Sequence, residues 1–220
     1  MPTSTVEDYL KCILLEEQER GDARVPTGRV AAALQVTPGT ATTMVKALAD
    51  GGLVDYEAYG GVRLTASGRQ LALHVLRRHR LIELFLVKVL GFDWTEVHDE
   101  AERLEHAVSE RLIERIDAML GFPAADPHGD PIPSAAGEVP VDEVVPLADW
   151  ALGAPARVAR IADQGPDFLR RIERLGLAPG ATLTLLARDD VADTLDLELA
   201  SGTHVALGLR AAEKILVAAR

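Results

Sequence analysis

The sequence predicts a mainly α-helical chain that ends in a small β-rich domain. Three observations carry this. The N-terminal third holds three helical patterns closed by two short strand patterns, the middle holds two longer stretches of helical periodicity, and alternating apolar and polar residues begin near position 155. With 220 residues and a hydrophobic content of 48%, the chain can fill one large domain or two modest ones.

The elements follow in order. Residues 4–19 place Val6, Leu10, Ile13, Leu14 and Glu17 at spacings of three and four, with Ser4 or Thr5 as an N-cap, and read as an amphipathic helix. A second short helix covers 25–34 around Pro26-Thr27. The turn at 37–40 caps a third helix, over 40–50, which Gly51-Gly52 stops and in which Met44 and Leu48 share a core face. Strands at 53–57 and 62–65 flank the turn residues 58–61, and three helices followed by a hairpin make a winged helix-turn-helix. Thr65-Ala66-Ser67-Gly68 opens a long helix that runs through Leu71, Val75, Leu76, Leu81, Leu84, Phe85 and Val89 to Gly91. A helix over 94–120 follows, with Val97, Ala101, Leu104, Val108, Leu112, Ile116 and Leu120 at spacings of three and four; two long helices on a small module point to a dimer interface. Residues 121–140, rich in Pro, Gly and Asp, read as a loop. Beyond 155, strands at 182–187 and 194–199 and a helix at 166–175 form the β-rich domain.

A net charge of −11 argues against binding a polyanion, because Lys and Arg supply most of the affinity for phosphate. The distribution answers the objection. Residues 1–80 hold 10 Lys/Arg against 9 Asp/Glu, residues 81–140 hold 4 against 13, and residues 141–220 hold 9 against 12. The acidic excess is concentrated in the middle, which marks it as a candidate cation site. The single cysteine, Cys12, excludes an intramolecular disulfide and makes the cytoplasm the default location. There is no secretory signal pattern and no uncharged apolar run of about 18 residues, so membrane insertion is not expected.

The most informative stretch is HDEAERLEH at 98–106. On a helix advancing 100° per residue, His98, Glu102, Glu105 and His106 fall at roughly 0°, 40°, −20° and 80°, one face with four ligand-type side chains. One helix hardly donates all four to a single ion, so two adjacent sites, or one site completed by neighbouring helices, both remain open. His79 and Glu83 stand at i and i+4 on the preceding helix, and Asp8 stands on the first. Gathered together, Asp8, Glu83, Glu102 and Glu105 repel one another, and a divalent cation relieves that repulsion. A solvated helix face is the plain alternative. The HExxH zinc-hydrolase pattern is absent, since the second histidine is missing after Glu105-His106. Cys12 reads as a small buried hydrophobe and not a ligand, His74 and His204 lack partners at ligand spacing, and His128 reads as structural.

Several collinear motifs now coincide: EDYLKCI at 7–13, LTASGR at 64–69, RRHRLIELFL at 77–86, VHDEAERLEH at 97–106 and PHGDPIP at 127–133. On these the chain resembles the diphtheria-toxin-repressor family of metal-dependent transcriptional regulators. The resemblance implies a winged helix-turn-helix DNA-binding domain over 1–73, a helical metal-binding and dimerisation domain over 74–140, a linker over 141–154 and an SH3-like (FeoA-type) domain over 155–220. It implies a primary metal site of Asp8, Glu102, Glu105 and His106 and an ancillary site of His79, Glu83 and His98, to which Gln164 and Asp167 would add ligands. Iron-responsive members carry Met where Asp8 stands and Cys where Glu102 stands; the hard carboxylates here favour Mn²⁺, with Fe²⁺ second. The manganese-responsive branch shares those two carboxylates but has Glu where Lys11 stands, while the ancillary set is like that of the iron branch.

For operator DNA, the resemblance puts Thr37, Gly39 and Thr43 of the third helix near bases, and Thr40, Thr42 and Lys46 near phosphates; Arg63 of the wing, with Arg24 and Arg29, would add phosphate contacts. Against this stands a reading of Thr40 as an N-cap and Lys46 as a solvated charge. The expected protein is a cytoplasmic homodimer, not an enzyme, that represses metal-uptake genes when metal ties the first helix to the helical core. Two other readings stay open: a metallohydrolase built on the carboxylate/His cluster, and a winged-helix regulator that senses an organic ligand.

Overall fold

The computed structural model describes residues 3–21, 23–140 and 143–219. Positions 1, 2 and 220, at the ends of the expected domains, and 141 and 142, at the start of the expected linker, lie outside the described residues. The chain divides into two compact units: Met1–His79 with Glu105–Val108 and Pro133–Glu138, and Arg80–Leu104 with Ser109–Ile132 and Val139–Arg220.

The first unit holds α1 (Ser4–Glu19), α2 (Thr27–Ala33), α3 (Pro38–Asp50), the hairpin strands β1 (Val54–Glu57) and β2 (Gly61–Leu64), and the first part of α4 (Ala66–Leu90). It is the expected winged helix-turn-helix. Thr3, and not Ser4 or Thr5, caps α1, since its extended backbone lets its hydroxyl accept from the Val6 amide at 3.4 Å. The third helix starts two residues earlier than expected: Thr37 is the cap, accepting from the Thr40 amide at 3.1 Å, and Pro38 occupies the first turn, where no amide hydrogen is needed. Leu10, Ile13 and Leu14 of α1 are fully buried. Glu17 lies on the same face and is just as buried, because it accepts from the Leu64 amide at 2.7 Å and from Arg69 at 2.6 Å, tying helix, wing and α4 together. Gly68 is required where α4 starts: a Cβ there would stand 1.9 Å from the Leu53 carbonyl oxygen.

The second unit holds the rest of α4, α5 (His98–Leu104), α6 (Glu110–Met119) and the β-rich domain. The single helix expected over 94–120 is two helices. Ser109, with an extended backbone, caps α6 by accepting from the Leu112 amide at 3.3 Å, and the apolar spacing continues across the break, so periodicity alone does not reveal it. Glu105 and His106 therefore sit in the turn after α5 and not on the helix face that carries His98 and Glu102.

The β-rich domain comprises β3 (Val145–Pro146), a 3-10 turn (Leu147–Asp149), β4 (Pro155–Ile161), α7 (Pro166–Arg174), β5 (Thr182–Asp189), β6 (Thr194–Leu199), β7 (His204–Gly208), α8 (Leu209–Ala212) and β8 (Ile215–Ala219). Its antiparallel sheet has the order β3-β8-β4-β5-β6-β7. Alternate residues, among them Leu183, Leu185, Leu195, Leu197, Ile215 and Val217, point into one core. Leu147 is fully buried in that core, so the sheet begins within the stretch expected as a linker.

The PHGDPIP loop is fixed against the sheet. The Ile161 amide donates to the His128 carbonyl at 2.9 Å, and Gly129 has φ +87° with its Cβ position 2.0 Å from the Ala159 carbonyl oxygen. A side chain there meets backbone and also strains φ. Gly129→Ala is expected to destabilise the protein by at least about 2 kcal/mol in urea unfolding.

Candidate metal centre

In the first unit, Asp8 on α1 meets Glu105 and His106 of the turn after α5, and one ligand atom from each lies within 4.8 Å of the others. His106 is held at both ring nitrogens: Nε2 lies 2.8 Å from Asp8 Oδ1, and Nδ1 lies 2.7 Å from Glu7 Oε2. Glu7 is anchored in turn by Arg78 at 2.9 Å. A carboxylate on Nδ1 orients the ring and leaves Nε2 for a ligand, the usual outer support of a metal-binding imidazole.

Glu105 is fully buried and grips two cations or donors, Lys11 Nζ on Oε1 and His79 Nδ1 on Oε2, each at 2.6 Å. Burial alone would raise its pKa; the His79 hydrogen bond and the Lys11 charge more than reverse that and hold it below the usual carboxylate range. Removing one partner from such a buried pair costs about 3–5 kcal/mol. Cys12, next in sequence, is buried with its thiol pushed up to about 12 by burial and by the Glu16 charge, so it behaves as a hydrophobe, as expected.

In the second unit, Glu83 on α4 is the hub. His98 Nδ1 lies 3.2 Å from its Oε1, and His98 Nε2 lies 3.6 Å from Glu102. Glu83, Asp126 and His128 form a second three-donor group within 4.8 Å, with all three residues buried. His128 Nε2 is 2.8 Å from the Trp94 carbonyl, which can only accept, so that nitrogen carries the hydrogen. Nδ1 then faces Glu83 Oε2 at 3.8 Å, too far for a hydrogen bond, and has no hydrogen-bond partner. Buried polar atoms rarely go unsatisfied, and an orphaned imidazole nitrogen beside two carboxylates fits a missing cation.

Asp126 Oδ1 accepts from the His128 and Asp130 amides at 2.8 and 2.9 Å, which fixes the carboxylate inside its own loop. Its pKa is pushed up to about 7, by burial first and then by the Asp130 and Glu83 charges, with Arg80 at 3.7 Å offsetting part of this. Burial pulls the His128 pKa down, but Glu83 and Asp126 more than reverse it and raise it.

Of the residues expected from sequence, Asp8, Glu105 and His106 come together in the first unit, where His79 also joins Glu105. Glu83, His98 and Glu102 are neighbours in the second. Gln164 donates to Asp130 at 2.6 Å, and Asp167 is exposed and paired with Arg170 at 3.0 Å. Sequence reading missed Glu7, and it gave His128 only a structural role; the Asp126-x-His128-x-Asp130 spacing within the acidic middle was the available signal. On the DNA side, Thr37, Gly39, Thr40, Thr43, Lys46 and Arg63 are exposed and Thr42 is half-buried. The Thr42 and Thr43 hydroxyls donate to the Pro38 and Gly39 carbonyls, while Arg29 is held by Glu16 and Glu19. Among the described residues, no helix is long and apolar enough to cross a membrane.

A winged helix-turn-helix joined to buried clusters of oxygen and nitrogen donors defines a metal-responsive regulator, and comparison with known proteins agrees. The iron-dependent-repressor N-terminal DNA-binding domain matches residues 1–62, the metal-binding and dimerisation domain of the same repressors matches 65–134, and the FeoA domain matches 145–219. The iron-dependent repressor IdeR of Mycobacterium tuberculosis (strain ATCC 25618 / H37Rv) is 34% identical over 194 residues, 82% of this chain and 83% of IdeR. The HTH-type transcriptional regulator MntR of Shouchella clausii (strain KSM-K16) is 38% identical over 122 residues, 56% of this chain and 83% of that protein. A solved manganese-dependent transcriptional repressor in complex with manganese matches with TM-score 0.87 and 44% identity, over 98% of this chain and 100% of that one. The repressor ScaR with bound Zn²⁺ matches with TM-score 0.78 and 36% identity over 100% of both chains. The chain belongs to the diphtheria-toxin-repressor family of metal-dependent transcriptional repressors.

The raised pKa of Asp126 has a direct consequence. An Asp that titrates near about 4 when unfolded and near 7 when folded stabilises the fold fully below about pH 4, and that contribution is lost as pH rises towards 7. For the metal-free protein, this group is expected to lower urea stability by up to about 1.4 kcal/mol per pH unit across that window. Asp126→Asn, which keeps an oxygen for the two loop amides, is expected to flatten the dependence.

Proposed function

We propose that this chain is a Mn²⁺-responsive repressor, with Fe²⁺ as a second effector, acting as a cytoplasmic homodimer on operators of metal-uptake genes. The observation that carries the metal preference is the donor set. Asp8, Glu105 and His106, and Glu83, Asp126 and His128, offer hard oxygen and nitrogen atoms and no thiolate. The proposed primary site is Asp8, Glu105 and His106 with Glu102 as a further ligand. The proposed second site takes Glu83, Asp126 and His128 first, with His79, His98, Gln164 and Asp167 as the remaining candidates. The bound ion supplies a positive charge that the clustered carboxylates lack.

Asp8 would then act as the link between α1 of the DNA-binding domain and the turn that carries Glu105 and His106, while Glu7 holds His106 in the ligating orientation. The ligand set favours that packing of α1 over looser ones, and a ligand shifts a population only by such differential affinity. In the DNA complex, α3 lies in the major groove, with Thr37, Gly39 and Thr43 at the bases and Thr40, Thr42 and Lys46 at phosphates, and Arg63 adds a wing contact.

Exposed Leu90 at the end of α4 and Phe92 after it, and Leu112, Met119 and Phe122 on and after α6, supply an apolar surface for the second copy. Domain limits of 1–73, 74–140 and 155–220 remain our proposal, with the sheet beginning at 145. The repressor names of the relatives support a regulator and not a metallohydrolase.

Operator binding measured by fluorescence anisotropy is expected to need Mn²⁺ in the wild type, and to lose that activation in Asp8→Ala and in Glu102→Ala. Metal-dependent binding unchanged in both variants would contradict the assignment of the primary site.

A further inference from the structure

Lys11 stands four residues after Glu7 and three after Asp8, so it shares their face of α1. Its ammonium lies 2.6 Å from Glu105 Oε1, with the two side chains only 8% and 0% exposed. That oxygen is 3.4 Å from His106 Nε2, the nitrogen that also faces Asp8. The ammonium therefore rests on an oxygen of the same donor group that would hold the ion. The other Glu105 oxygen is engaged by His79.

We propose that Lys11 is an internal cation that competes with the divalent ion for Glu105, lowering the affinity of the primary site. The inference rests on the metal-dependent reading above. In the metal-free protein the ammonium satisfies a buried carboxylate that would otherwise have His79 alone among its short contacts. When a ligand set closes on a dication, the same ammonium becomes a like charge a few ångströms away. Part of the ion's binding energy then goes to displacing or tolerating it. A residue with this role opposes metal and supports the empty state at once, so the two effects of its removal have opposite signs. A purely structural ion pair has no such signature.

The test is calorimetric titration of Mn²⁺ into the full chain and into Lys11→Met, Lys11→Arg and Lys11→Gln, with thermal unfolding of each protein with and without the ion. Repeating it in a Glu83→Gln background removes the carboxylate that the second-site candidates share. Lys11→Met is expected to bind Mn²⁺ at the primary site at least about tenfold more tightly while its metal-free form melts lower. Lys11→Arg, which keeps the charge, is expected to stay near the wild-type affinity. Should Lys11→Met not fold without metal, Lys11→Gln, whose amide still donates to Glu105, is expected to bind more tightly than wild type. Mn²⁺ affinity unchanged or weakened in the neutral variants, with the wild type binding normally, overturns the role of Lys11 alone. A wild-type chain that binds no Mn²⁺ overturns the functional reading and this inference with it.

Discussion

A carboxylate buried away from water must find positive charge nearby, and the two groups of buried acids in this chain meet that need unequally. Glu105 is satisfied by Lys11 and His79, at the cost of tying three elements to one side chain. Glu83, Asp126 and Asp130 share Arg80 and His128, and the shortfall surfaces as an Asp126 that holds its proton to about pH 7. The difference between the two groups is the main electrostatic feature of the molecule. In the second group the shortfall stands beside an imidazole nitrogen that is buried without a hydrogen-bond partner.

The backbone builds both groups with the same device, a tight chain reversal stapled to regular structure. After α5 the chain turns, Ser109 starts α6, and Glu105 and His106 are left on the turn facing α1. In the PHGDPIP loop, Gly129 allows the backbone to touch β4, and the Asp126 side chain closes the loop on two amides, which aims His128 inward. Residues on turns braced in this way have fixed direction, which a ligand set requires.

The N-terminal architecture was legible because its signals are local. The spacing of Leu10, Ile13 and Leu14, the Thr37-Pro38 cap and the glycine stops each act within a few residues, whereas the buried role of Glu17 rests on its distant partners Leu64 and Arg69. The grouping of Asp8, Glu105 and His106 was legible for another reason: motif spacing preserves a constellation whatever local structure carries it. The helical-wheel argument for 98–106 put Glu105 and His106 on a helix face that ends before them, since periodicity does not register a break across which apolar spacing continues. Asp126 and His128 escaped because loop residues have no period, and their meaning lies in a contact with Glu83, more than forty positions away. Glu7 escaped because its partner His106 is 99 residues distant.

The central claim is that both buried acid groups bind a divalent cation. Anomalous scattering collected across the manganese absorption edge from crystals of the Mn²⁺-loaded protein tests it directly. The account predicts one peak bounded by Asp8, Glu105 and His106 and another bounded by Glu83, Asp126 and His128. Density that leaves His128 Nδ1 unligated and the Lys11–Glu105 pair undisturbed at saturating Mn²⁺, with no peak at either place, would contradict it.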